Sequence, residues 1–283
     1  MSDIYTCFDI EVADGVATVT LNRPDQLNTM TPAFWSELPN LIRKIDSTGE
    51  ARVVVLASTG RHFSAGMDLA VFGQGGGSEG TEIGRLRANL RSNVLHLQDT
   101  FTALEKARMP VLAAIQGGCI GGAVDMVTAC DMRYATEDAF FCIQEINIGM
   151  TADVGTLQRL PKLIPEGVCR ELAYTGRRMP AAEAKAVGLV NEVFPGQEDL
   201  LEGVQAVAAE IASRSPLAVW GSKEMITYAR DHSTADSLDH IATWQAGMFQ
   251  PTDMLEAFAA KAEDRPAEFD NLSPFEGGIS DGV

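Results

Sequence analysis

Three carboxylates in this chain sit where an acidic side chain needs a reason. Asp125 lies inside residues 123–130, an almost entirely apolar stretch long enough for two helical turns. Glu145 follows a strand-like run over 139–143, and Asp153 opens a helical pattern over 154–164. Buried carboxylates normally have a partner or a task. Each has a plain structural reading: Asp125 paired with a cation such as Arg133, Glu145 as an edge-strand residue, Asp153 as a helix N-cap. For Asp153 alone, the cap is the favoured reading. Taken together, the three lie close to glycine turns able to expose backbone N–H groups. Gly121-Gly122 opens a helix, whose N-terminus favours anions. Ala65-Gly66-Met67 makes a second turn between a strand and a loop. Two converging N–H donors would form an oxyanion hole. Carboxylates beside such a hole are suited to removing a proton next to a thioester carbonyl.

Other chemistries lack their patterns. Gly75 to Gly80 spells G-x-G-x-x-G, but no clear strand precedes it, so it reads as a flexible loop. None of His62, His96, His232 and His240 belongs to H-E-x-x-H, and no serine sits in G-x-S-x-G. These histidines read as surface or core-edge residues. Five cysteines without a C-x-x-C suggest neither a disulfide framework nor a zinc site, but reduced, buried thiols. No metal site is expected. A net charge of −17 argues against a nucleic-acid partner. No apolar run has the length of a membrane helix, and neither a signal peptide nor a peroxisomal tripeptide is visible, so a cytoplasmic protein is expected.

The elements that must position these groups follow in order. At 283 residues the chain is long enough to bury a large core without staples. Phe8, Ile10 and Val12 alternate with polar residues, 13–15 turn the chain, and 16–21 alternate again, as in a hairpin. Thr31-Pro32 is an N-cap with proline at the first helical position. Pro39 then predicts a kink or break. A buried strand is expected over 52–57, a long helix over 82–107 and another buried strand over 111–115. Helices are predicted over 154–164, 167–174 and 180–187, with a short strand over 189–193. From about residue 199 all is helical, carrying Trp220, Trp244, Met248, Phe249 and Phe258. The tail from Arg265 is expected to be loosely ordered. The fold class is α/β followed by helices, with strand–strand–helix units recurring near 8–45, 52–107 and 111–130.

FSAGMDL, AAIQGGCIGGAVDMVTACDMRYA and GTLQRLP, in this order and at these separations, resemble the crotonase (enoyl-CoA hydratase/isomerase) superfamily over most of the chain. The resemblance implies a spiral of β-β-α units over 1–198 with the active site, and a C-terminal helical region over 199–283 used in homotrimers that often pair into hexamers. CIGGAVDMVTACD and ADVGTLQRLPK are most similar to the Δ3,5-Δ2,4-dienoyl-CoA isomerases. Those enzymes carry aspartate, glutamate and aspartate where this chain has Asp125, Glu145 and Asp153. Hydratases carry glutamate at the first place and usually glycine at the third. By resemblance, Glu145 and Asp153 shuttle the proton and Asp125 supports them. The N–H groups of Met67 and Gly122 form the oxyanion hole, and Ala65, Gly66, Met67, Asp68 and Leu69 line the thioester and pantetheine. Asn147 and Met150 receive no role. The implied reaction converts 3,5-dienoyl-CoA to 2,4-dienoyl-CoA in fatty acid degradation, with no cofactor beyond the substrate's own CoA. Alternatives are hydration of 2-enoyl-CoA or another acyl-CoA reaction of the superfamily, such as thioester hydrolysis.

Overall fold

The computed structural model describes residues 5–68, 71, 82–249 and 251–275. Leu69 and the G-x-G-x-x-G string fall outside these residues.

The hairpin forms as expected: β1 (Phe8–Ala13) pairs antiparallel with β2 (Val16–Leu21). Asp14 and Gly15 both take positive φ, the turn geometry that suits twisted strands. α1 (Pro32–Thr48) follows. It does not break at Pro39, which is buried inside a continuous helix. Proline removes the N–H that would bond to Trp35 O, and the Thr100 hydroxyl donates to that carbonyl instead at 3.2 Å. Thr31 does flank the helix in extended conformation, but its side chain makes no capping hydrogen bond.

β3 (Val53–Ser58) and α2 (Ile83–Lys106) come next. Only the C-terminal part of α2 is buried, through Thr100, Phe101, Ala103 and Leu104. The apolar Ile83, Leu90 and Leu95 further up are exposed. β4 (Val111–Ile115), β5 (Gly118–Ile120) and α3 (Gly122–Thr128) form a compact unit. They lead to β6 (Met132–Thr136) and β7 (Phe140–Cys142). Two short helices follow, α4 (Thr156–Arg159) and α5 (Glu166–Thr175). Then come β8 (Met179–Pro180), α6 (Ala181–Ala186) and β9 (Glu192–Phe194). The last strand thus begins later than the expected 189–193, because Leu189 and Val190 are buried as a connection rather than paired in the sheet. The chain ends in α7 (Gln197–Ala212), α8 (Pro216–Ala229), α9 (Thr234–Met248) and α10 (Pro251–Glu263).

Six strands form one sheet in the order β1-β2-β3-β4-β6-β9, parallel from β2 onward, and β5-β7-β8 form a second. Strand alternation splits β3 between two cores. Val54 and Leu56 face the main core with α1 and α3, while Val53, Val55 and Ala57 face Leu200, Val204 and Ala208 of α7. Both faces are covered, which is why this strand reads as an unbroken apolar run. The division at 198/199 places α7 with the C-terminal helices, yet α7 covers one face of the sheet.

The tail differs from expectation. Arg52 donates to Asn271 Oδ1 at 2.8 Å and to Phe269 O at 2.5 Å. Phe275 N donates to Ser47 O at 2.9 Å, and the Arg108 guanidinium lies 4.5 Å from the Phe275 ring centroid. Two cations with apolar stems hold residues 265–275 against the ends of α1 and β3.

Candidate active site

Two segments meet at the site. The first runs from Phe63 to Asp68. Ser64 bridges to Cys119 of β5, and Met67 bridges to Met30 ahead of α1. In the second bridge Met30 N donates to Gly66 O at 2.8 Å and Asp68 N donates to Met30 O at 3.1 Å. That pattern turns the Met67 N–H away from Met30. The second segment is β5 and the start of α3, where Gly122 is the first helical residue and has no acceptor behind it. Among the described residues, neither the Met67 N–H nor the Gly122 N–H has a partner.

The two donors are close because glycine permits it. Gly66 has φ 82°, and a Cβ there would lie 2.5 Å from Ile120 O and 3.2 Å from Gly122 N. A Cβ on Gly122 would lie 3.9 Å from Met67 N. The His62 ring ties the same two segments together, its Nδ1 accepting the Gly118 N–H at 2.9 Å. The core-edge reading suits this histidine.

The carboxylates come from α3 and from the segments that pack against it. Asp125 is fully buried. It does not pair with Arg133, whose guanidinium donates to Leu189 O, Val127 O and Cys130 O. Asp125 Oδ1 instead accepts Thr156 N at 2.5 Å, and Oδ2 has no partner. Asp153 is therefore not the cap of the following helix: α4 begins at Thr156, Gly155 flanks it, and Asp125 reaches across to its N-terminus. Glu145 opens a 3-10 turn, Glu145–Ile148, rather than ending a strand. Its Oε1 would be 3.3 Å from a Cβ on Gly121, and its Oε2 is buried without a partner. Burial pushes the Asp125 carboxyl up to about 6, against the pull of the Thr156 N–H. Burial, helped by the Asp125 charge, pushes Glu145 up to about 7. Asp153 is exposed, and its charge acts on both of the others.

The structure thus brings together Asp125, Glu145, Asp153, Gly66, Met67 and Gly122. Ala65 and Asp68 are held beside them, Ala65 N donating to Leu27 O at 2.9 Å and Asp68 Oδ2 accepting the Thr29 hydroxyl at 3.2 Å. An apolar cavity of about 430 Å³ is lined by Ile143, Ile146, Met150, Ala152 and Leu157 from the segment carrying Glu145 and Asp153. Sequence reading missed Met30, Thr156, Gln98 and Arg159, which shape the site through contacts distant in the chain.

Residues 11–272 match the family described as enoyl-CoA hydratase/isomerase, and the chain belongs to that family. A crystal structure of enoyl-CoA hydratase from Bacillus anthracis superimposes with a TM-score of 0.84 at 33% identity, covering 93% of this chain and 99% of that one. The crotonase-type spiral expected from the motifs is the fold observed. The chain is also 44% identical to a mitochondrial Delta(3,5)-Delta(2,4)-dienoyl-CoA isomerase of Homo sapiens, over 88% of this chain and 77% of the relative. It is 41% identical to a peroxisomal enzyme of the same name from Arabidopsis thaliana, over 89% and 91%. Among the described residues, no helix is long and apolar enough to cross a membrane.

Proposed function

We propose that this protein isomerises 3,5-dienoyl-CoA to 2,4-dienoyl-CoA in fatty acid degradation. The observation that carries the reading is Asp153 joined to the buried Asp125 and Glu145 pair, in a chain similar to enzymes of that name. Ionised Glu145 takes a proton from carbon-2. Negative charge then collects on the thioester oxygen, where the Met67 and Gly122 N–H groups receive it. Conjugation carries the charge to carbon-6, where Asp153 returns a proton. A proton passing between the two carboxyls restores the start. Asp125 supports the pair: burial first, and the Asp125 charge in addition, raise Glu145 to about 7, so that it is populated in both forms near neutral pH. Only protons move, so the reaction calls on no metal or redox group, and CoA enters with the substrate.

The test is a side-by-side assay on 3,5-dienoyl-CoA and 2-enoyl-CoA. We expect rapid isomerisation and poor hydration. With Glu145 as base, activity should fall as pH drops through about 7. Efficient hydration together with a negligible isomerase rate would make the protein a hydratase.

Self-association through the C-terminal helices is part of the same reading, as a homotrimer or homohexamer. Trp220 and Trp244 pack edge-on with centroids 4.9 Å apart, so they partly cover each other. Ile226, Leu238, Leu255 and Phe258 stay 59–65% exposed. So much apolar surface on one region marks an interaction face. Light scattering should give a multiple of 30.4 kDa at micromolar concentration, and a monomer mass would count against it. The five free, buried thiols suit a reducing compartment, and the cytoplasm is the one we propose.

A further inference from the structure

Asp153 is exposed and sits on a segment between two short helical turns, with no regular element of its own. A carboxyl that must meet one carbon atom needs its backbone held. The contacts that hold it come from α2, 55 residues away in the chain: Gln98 Nε2 donates to Asp153 O at 2.6 Å. One helical turn further, the Thr102 hydroxyl receives Arg159 at 3.2 Å, and about two turns on, Glu105 receives the same guanidinium at 3.2 Å. Positions 98, 102 and 105 share one face of a helix. Arg159 packs so closely over Gly155 that a Cβ there would lie 2.0 Å from its Nη1. Between these two anchors lies Thr156, whose N–H holds Asp125. Asp125 and Asp153 are therefore referenced to one another through a single stripe on α2.

We propose that this stripe is a clamp setting the position of Asp153, and that Gln98 is a positioning residue for the second half-reaction, proton return at carbon-6. Gln98 touches the backbone of Asp153 and neither oxyanion donor nor Glu145. Its removal should slow delivery to carbon-6 while leaving abstraction at carbon-2 in place. A merely structural role would reduce both together.

The inference rests on the isomerase reading, and the experiment separates the two. Wild type, Gln98→Leu and Gln98→Lys are incubated with 3,5-dienoyl-CoA in D2O. Formation of the 2,4-diene is followed by absorbance, and deuterium at carbon-2 of unconverted substrate by mass spectrometry. For Gln98→Leu we expect about a tenfold slower isomerisation, the scale of one lost hydrogen bond, with carbon-2 exchange within twofold of wild type and an unchanged melting temperature. Gln98→Lys keeps a donor and should recover part of the rate. Equal loss of exchange and isomerisation, or no loss of either, overturns the clamp. Absence of isomerisation in wild type overturns the isomerase reading instead.

Discussion

Glu145→Gln should lower dienoyl isomerisation at least about a hundredfold, and above a pH of about 7 it should stabilise the fold. The two effects share a cause. Burial and the neighbouring Asp125 charge raise the Glu145 carboxyl from 4.5 to about 7. Between those values the folded chain binds the proton more tightly than the unfolded chain does. Stability therefore falls as pH climbs through that window, and the loss is complete above it. Glutamine cannot ionise and escapes the loss, a gain of roughly 1–2 kcal/mol after allowing for partial exposure. Thermal melts at pH 5 and pH 8 check this, both values chosen to bracket the raised carboxyl. A stability difference identical at both would mean that the carboxylate is not held in a desolvated site. Asp153→Asn should cost a similar factor in rate but keep carbon-2 exchange, which Glu145→Gln should lose. If Asp153→Asn leaves every activity intact, Asp153 has no part in the chemistry.

Gly66→Ala should be nearly as damaging to rate, without any change of charge. Alanine at φ 82° is strained, and its Cβ would press on Ile120 O and Gly122 N, at 2.5 and 3.2 Å. The two amide donors would be forced apart. Loss of one oxyanion donor typically costs about 10²–10³ in turnover, and we expect a fall in that range with a smaller change in acyl-CoA binding. Gly122→Val attacks the same place from the other side, where its Cβ would first meet Met30 Sδ at 3.0 Å, the movable end of a side chain. We therefore expect Gly66→Ala to match or exceed Gly122→Val. Full turnover in both folded variants would remove the oxyanion assignment.

Much of this was legible in the sequence, for physical reasons. Period-two alternation over Phe8–Ala13 and Val16–Leu21 exposed the hairpin, and the apolar run at Val53–Ser58 exposed a strand covered on both faces. The glycine turns at Gly66 and Gly121 marked the donors because only a residue without Cβ fits there. What stayed hidden depended on contacts across the chain. β5 is three residues long and begins with glycine, so it carries no periodic signal. Pro39 looked like a break because its remedy, Thr100, lies on another helix. Asp153 looked like a cap because nothing local says that Asp125 already occupies the end of α4. The Gln98 contact to Asp153 O leaves no local pattern at all.

The long reach of the C-terminal segments also sets an order of folding. Gln205 of α7 donates to Thr18 of β2 across 187 residues, and Arg52 at the start of β3 is tied to Asn271 across 219. Pairings so distant form slowly, since a long loop must close before they return any stabilisation. While the chain is still on the ribosome, the sheet face made by Val53, Val55, Leu112 and Tyr134 has no cover until α7 emerges. Until that cover arrives, the bare apolar face is the part of the chain most open to aggregation.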